Sequence, residues 1–300
     1  MKMRSPFGFD PLRIFPAGGI IGFMKMIDLH VHTTASDGTL TPTETVERAK
    51  ALGLAAVAIT DHDTHAGVAE AAAAGARYGV EAVPGIELSV HYRGLGIHIL
   101  GYFIRPGAPA LDALLAWVSD ERARRNEAIA AALRADGYPV YVEELRDQTK
   151  NPGAVIGRPH FAAKLVELGA ARDMRDAFGR FLGEGRKYYR ERAYIPMDMA
   201  FGALRAAGGK AVFAHPYQYA LPEPELLALT GTLVKAGIVG VECVYSGYTA
   251  EQTEYLKRLA AHYGLCATGG SDFHGAEVKP GVEMGGAAVP YEFLEELKRR

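Results

Sequence analysis

The sequence predicts an α/β fold in which a seven-stranded, mostly parallel sheet alternates with helices and is interrupted by a helical insertion. Three observations predict it. Short apolar runs alternate with longer amphipathic ones along most of the 300 residues. The alternation stops between about residues 105 and 192. Five of the strands end in, or lead into, a His, Asp or Glu, and a sixth carries a His. Strand–helix alternation implies a parallel sheet, because parallel neighbours need a crossover between them. Seven strands favour a barrel over an open sheet, although periodicity alone does not separate the two.

Residues 1–25 come first and read poorly as structure. Pro6, Gly8, Pro11, Pro16, Gly18, Gly19 and Gly22 break any helix or strand period. The apolar stretch Ala17–Met24 is too short and too glycine-rich for a membrane span and lacks a convincing secretory cleavage site. An upstream start or a loose arm is expected here, with an interface strand as the weaker alternative. No other segment reads as a membrane span.

The strands are expected at 27–31, 55–60, 81–88, 97–103, 211–214, 240–244 and 265–268. The first helix is signalled by Thr41 as N-cap, Pro42 at the first helical position and Glu44 three residues after the cap; it should stop at Gly53. A second should begin near Thr64 and stop near Gly79. Later helices are expected near 197–207, 223–236, 249–263 and 291–299. The barrel would thus comprise 26–104 and 193–300. The region 105–192 is helical instead, with patterns at 110–135, 158–168 and 173–182. It carries a net charge of +3 against −5 for the remainder. A helical insertion of opposite sign reads as a cap over a site on the main domain. On charge alone, a helical subdomain with solvated arginines is at least as good a reading.

Composition narrows the function classes. Hydrophobic residues make up 49% and charged residues 23%, which excludes a disordered chain. The formal net charge of −2 lacks the basic excess of a protein that grips a long nucleic-acid duplex. Two cysteines, Cys243 and Cys266, form no pairing or metal pattern, so a reduced, cytoplasmic setting is the simplest reading. Histidine is the unusual residue: there are ten, most beside acidic side chains.

His30 and His32 are two apart at the end of the first strand and so share a face. An isolated His-x-His is weak, but ligand sites of parallel α/β proteins lie at strand carboxyl ends. Asp37 follows in a turn, where an Asp alone would simply form the turn. His62 lies between Asp61 and Asp63; helix capping explains Asp63 or Thr64 but not His62. Glu87 closes the third strand, where an exposed strand end is the bland reading. His98 points opposite to Ile97 and Ile99, and taken alone reads as a buried, hydrogen-bonded histidine. His215 ends the fifth strand, and Asp272 and His274, again two apart, follow the seventh. One metal cluster at the carboxyl end of a barrel explains all of these together, whereas separate structural explanations are needed otherwise.

The pieces DLHVHTTASDG (28–38), ITDHDT (59–64), GIELS (85–89), HILGY (98–102), FAHP (213–216) and GSDFHG (270–275), in this order, resemble the PHP (polymerase and histidinol phosphatase) superfamily. The resemblance runs from about residue 26 to 300. It implies a distorted seven-stranded (β/α)7 barrel with a trinuclear metal centre. The first metal would take His30, His32, Glu87 and Asp272; the second Glu87, His98 and His215; the third Asp37, His62 and His274. Among these, Glu87, Asp272, His274 and His215 are the expected catalytic set. Gly157-Arg158-Pro159-His160 ahead of a helix looks like the small bacterial PHP phosphoesterases, which resemble nucleoside 3′,5′-bisphosphate phosphatases, some of which trim RNA from its 5′ end. Arg158 and His160 would then bind substrate, a guanidinium being suited to bidentate phosphate contact. A helix start with a buried histidine is the bland reading of this pair. Tyr245-Ser246-Gly247-Tyr248 is typical of the same branch without an assigned role.

The implied activity is phosphomonoester hydrolysis by in-line attack of a metal-bridging hydroxide. Three divalent ions facing three carboxylates and neutral imidazoles leave excess positive charge that a hydroxide and a phosphate dianion would balance. Histidine and carboxylate donors without thiolate fit Mn²⁺, Fe²⁺ or Zn²⁺ alike. Asp28 and Asp61 are expected to orient ligand histidines from behind. The substrate would be a small phosphorylated nucleotide or short oligoribonucleotide. Rival readings are a phosphatase for AMP or histidinol phosphate, a non-catalytic metal-binding PHP module, and an amide hydrolase on a related barrel, whose usual bridging lysine has no counterpart here.

Overall fold

The structure is a computed structural model and describes residues 25–148, 156–191 and 193–300. The expected N-terminal arm therefore lies, apart from Lys25, outside the described residues. The strands are β1 (Met26–Val31), β2 (Ala56–Ile59), β3 (Glu81–Tyr92), β4 (Leu95–Tyr102), β5 (Ile195–Pro196), β6 (Lys210–Phe213), β7 (Gly240–Tyr245), β8 (Cys266–Gly270) and β9 (Val289–Pro290). The helices are α1 (Pro42–Ala51), α2 (Val68–Tyr78), α3 (Pro109–Ala135), α4 (Val142–Asp147), α5 (Arg158–Glu167), α6 (Met174–Ala177, continued by a π turn at 178–182), α7 (Met197–Ala206), α8 (Glu223–Ala236), α9 (Ala250–His262) and α10 (Tyr291–Arg299).

One sheet runs in the order β8-β7-β6-β4-β3-β2-β1-β9, with β5 beside β3. Its two sides nearly meet. Asp272 N donates to His30 O at 2.8 Å, and His32 N donates to Phe273 O at 2.9 Å. β1 therefore lies against the end of β8, and the sheet is barrel-like. Gly270 makes this approach possible, since a Cβ there would stand 2.3 Å from the His30 Cβ.

Parallel pairing holds between β1, β2 and β3 and between β6, β7 and β8. β4 is the exception in this mostly parallel sheet, running antiparallel to both β3 and β6. The cause is local. Arg93 and Gly94 both hold positive φ, 48° and 85°, and so make a two-residue hairpin too short for a crossover. β3 consequently extends four residues beyond its expected end. The two-residue strands β5 and β9 and the helix α4 add to the expected elements.

α1 begins as expected, with Thr41 and Glu44 capping reciprocally behind Pro42. α2 starts at Val68 rather than near Thr64. Asp63 with φ 52° and a turn closed by Val68 N to His65 O take up the intervening residues. In β3 and β4, Ile86, Leu88, Ile97 and Ile99 belong to the cluster packed with Phe201 and Leu204 of α7. Glu87 and His98 alternate with them, so they share the opposite face of the sheet.

The 27-residue α3, about 40 Å long, joins two cores. Leu111, Leu114 and Val118 pack in the large cluster against the sheet. Ile129 and Leu133 pack in a separate cluster with Leu145, Phe161, Leu165 and Leu182. An ion pair, Arg122 with Asp63 at 2.9 Å, and a hydrogen bond, His65 Nε2 with Asp112 Oδ1 at 2.8 Å, tie α3 to the loop after β2. No helix among the described residues is long and apolar enough to cross a membrane.

Candidate metal centre

The nine side chains singled out in the sequence converge around Glu87. The parallel strands bring their carboxyl ends to one mouth, and the β3–β4 hairpin adds His98. Ser89 pairs opposite His98, which makes Glu87 and His98 diagonal neighbours on one face. Glu87 is fully buried.

Three groups of donors lie close enough to hold an ion: His30, His32, Glu87 and Asp272; His62, Glu87 and His98; and His32, Asp37, His62 and His274. In the first, Glu87 Oε2 stands 3.4 Å from His30 Nε2 and 3.2 Å from His32 Nε2, and Asp272 Oδ1 stands at the same two distances. In the second, Glu87 Oε1 lies 3.0 Å from His98 Nδ1, and His215 Nε2 adjoins the pair at 2.9 Å from Glu87 Oε1 and 3.2 Å from His98 Nδ1. In the third, Asp37 Oδ1 lies 3.5 Å from His274 Nε2, and His62 joins them. His32 and His62 also lie within reach of a second group each. His32 stacks on His274 with ring centroids 3.9 Å apart, and His62 Nδ1 stands 3.0 Å from Glu87 Oε2.

These residues fit metal ions on the chemistry of their own atoms. His30 Nε2, both ring nitrogens of His32, His62 Nδ1, His215 Nδ1 and Glu87 Oε2 are buried and have no hydrogen-bond partner. A buried polar atom without a partner costs about 1–3 kcal/mol. Most of these orphans face one another, so a shared cation would satisfy them together. Two of the residues also hold backbone that a non-glycine residue rarely adopts, His215 with φ 28° and Asp272 with φ 56°. Such conformations concentrate at functional sites.

Burial works against charge on His30 and His32. Glu242, Asp272 and Glu87 around His30, and Asp272, Asp37 and Glu87 around His32, outweigh it and raise both pKa values well above 6.5. In the metal-free protein this contribution to stability is present below pH 6.5 and is lost as pH rises through the folded-state values. A metal must displace these protons. Metal uptake at pH 7 is therefore expected to release protons, and apparent affinity to rise with pH. Titration calorimetry in buffers of different ionisation enthalpy measures this; buffer-independent heats would contradict it.

The two carboxylates expected behind the histidines do something else. Asp28 accepts from Ser271 Oγ at 2.5 Å, from Ser271 N and Gly285 N at 2.8 Å each, and from the His30 backbone N at 3.2 Å. Asp61 accepts from Thr33 N, Thr33 Oγ1 and Ser36 Oγ. Neither touches an imidazole; each shapes a loop that carries ligands. The group that does meet a ring is Glu242, whose Oε1 stands 2.9 Å from His30 Nδ1. Its sequence signal was an acid between Val241 and Cys243 in an apolar strand, the pattern that marked His98. Lys279 carried no sequence signal, and Tyr245 was singled out without a role; both donate to Asp272 Oδ2 and leave Oδ1 facing the imidazoles. Tyr245 keeps its proton, because burial and the adjacent Asp272 push its pKa far up.

Arg158 opens α5, half-buried, with its guanidinium 5.2 Å from the Tyr189 ring centroid. His160 Nδ1 accepts from Gly157 N at 3.1 Å. Burial lowers the His160 pKa, against the opposing pull of the Gly157 carbonyl, 3.3 Å from Nδ1, and of the Asp37 carboxylate.

A family model described as the PHP domain matches residues 28–181. The chain is similar to a 3′,5′-nucleoside bisphosphate phosphatase of Chromobacterium violaceum, 38% identical over 84% of this chain and 88% of the relative. It is similar to a 5′-3′ exoribonuclease of Haemophilus influenzae, 35% identical over 83% and 90%. A solved structure from Bifidobacterium adolescentis, described as a candidate metal-dependent phosphoesterase, superposes with a TM-score of 0.78 at 32% identity, covering 91% of this chain and 95% of the other.

Proposed function

The chain belongs to the PHP domain family, and from that premise we propose that it is a metal-dependent phosphoesterase for nucleotide phosphomonoesters. Nucleoside 3′,5′-bisphosphates are the leading substrates, with the 5′ ends of short RNA beside them. The observation that carries this reading is the cage of orphaned nitrogen and oxygen atoms around Glu87.

In this proposal three divalent ions, Mn²⁺, Fe²⁺ or Zn²⁺, are held by the three donor groups. His30, His32, Glu87 and Asp272 hold the first, Glu87, His98 and His215 the second, and Asp37, His62 and His274 the third. Bound divalent ions supply Lewis acidity: they lower the pKa of water from 15.7 toward about 7 and neutralise charge on phosphoryl oxygens. The rest falls to the chain. Glu87 would contribute to two of the groups, because its Oε2 faces His30 and His32 and its Oε1 faces His98 and His215. Tyr245 and Lys279 hold Asp272 to one orientation. The segment 105–192 acts as a cap on a seven-stranded barrel, tethered by the Arg122–Asp63 and Asp112–His65 pairs. From the cap, Arg158 and His160 at the start of α5 receive a substrate phosphate. Two free buried cysteines suit a reducing cytoplasm.

Side-by-side assays of pAp, AMP, histidinol phosphate and a short 5′-phosphorylated RNA, with the protein reloaded with Mn²⁺, test the reading. A preference for pAp over AMP is expected. Equal rates on the two would remove the bisphosphate assignment, and no phosphate release from any of the four would remove the phosphoesterase one. Arg158→Met is expected to raise KM for pAp roughly 10- to 100-fold, the worth of one or two charge-assisted hydrogen bonds. An unchanged KM would take Arg158 out of the site.

A further inference from the structure

Glu242 sits on β7 between Val241 and Cys243, which both pack in the large apolar cluster. Alternation turns it to the other face of the sheet, the face of Glu87 and His98. It is fully buried and shares itself between two donor groups. Oε1 meets His30 Nδ1 at 2.9 Å, and Oε2 accepts from the His215 backbone N at 2.7 Å. The approach from β7 to β1 crosses the end of β8, where Gly269 and Gly270 leave the room. A Cβ on Gly269 would stand 2.5 Å from Val244 O, and one on Gly270 would meet His30.

We propose that Glu242 is a positioning residue of the metal centre, holding His30 in the Nδ1–H tautomer so that its Nε2 lone pair faces Glu87 and Asp272, and seating His215 through its amide. This rests on the metal-centre reading above. An imidazole that donates from Nδ1 to a carboxylate must offer a bare Nε2 once it is neutral. The same carboxylate fixes the backbone of a residue held at positive φ. One side chain thereby aligns a ligand of the first group with a ligand of the second.

Glu242→Gln separates this role from simple packing. A backbone N–H can only donate, so the amide oxygen of Gln should turn to His215 N. Its NH₂ then faces His30 Nδ1, which must become the acceptor. The ring proton moves to Nε2, where the metal should bind. Expected is a roughly 10- to 100-fold loss of Zn²⁺ affinity in competition titrations with a chromogenic chelator. Turnover on pAp should return at correspondingly higher metal concentration. Wild-type affinity in the variant would overturn the inference. So would a lower melting temperature of the chelated variant with its Zn²⁺ affinity intact.

If the variant does not fold, ¹⁵N-histidine spectra of the Zn²⁺-loaded wild-type protein decide. A proton on His30 Nδ1 and none on Nε2 is expected; the reverse overturns the inference. Wild-type Zn²⁺ binding that His30→Ala leaves intact would overturn the metal-centre reading and this inference with it. Failure in the Glu242 arm alone leaves that reading standing.

Discussion

Glu87→Gln is expected to lower kcat/KM by about 1000-fold, the largest single loss at this site. Glu87 stands within 3.4 Å of ring nitrogens on His30, His32, His62, His98 and His215. Burial alone would raise its pKa. His62, His98 and His30, with the hydrogen bond from His215, outweigh burial and hold the carboxylate charged. Gln keeps the shape but puts an NH₂ where one oxygen would bind an ion. Losing about 4 kcal/mol of charge stabilisation at the reacting phosphate corresponds to roughly 1000-fold in rate. Metal analysis of the purified variant should show fewer bound ions, while circular dichroism should show the fold retained. A variant with full activity would mean that Glu87 is not the shared ligand.

The second large effect concerns folding. Asp28→Ala is expected to destabilise the protein by about 3 kcal/mol. Asp28 is fully buried and collects four donors, two from Ser271, one from Gly285 and one from His30. These bonds tie β1 to the loop after β8, where the barrel-like sheet nearly closes. Removing the carboxylate leaves buried N–H groups without partners, at about 1–3 kcal/mol each. Part of that is returned, because burial raises the Asp28 pKa and its charge is itself costly. Chemical denaturation of the metal-free protein measures the net. A loss under about 1 kcal/mol would show that water or a shifted loop replaces Asp28. The same variant should lose metal affinity, since Asp272 and His274 sit on the loop it anchors.

Much of the architecture was readable along the chain because its signals are local. The alternation of apolar runs placed seven strands within a few residues of where they lie. The Thr41-Pro42-Glu44 capping pattern located the start of α1 to the residue. The direction of β4 was left open, although its signal is also local: Arg93-Gly94 between two apolar runs is a turn pattern too short for a crossover. The start of α2 was misplaced for another reason. The backbone at Asp63 is set by its contacts with Ser89 and Arg122, from segments distant in sequence.

The site divides in the same way. Sequence alone singled out the nine side chains, most of them at or just after strand ends, because in an alternating α/β chain the carboxyl ends of parallel strands open toward one face. Which atom meets which depended on tertiary structure. Asp28 and Asp61 neighbour histidines in sequence, yet they bond loops. Glu242 bonds the ring of His30 from 212 positions away. Hydrogen bonds depend on distance and direction between groups, and sheet register sets those quantities across strands. Spacing along a strand reports only the face on which a side chain lies.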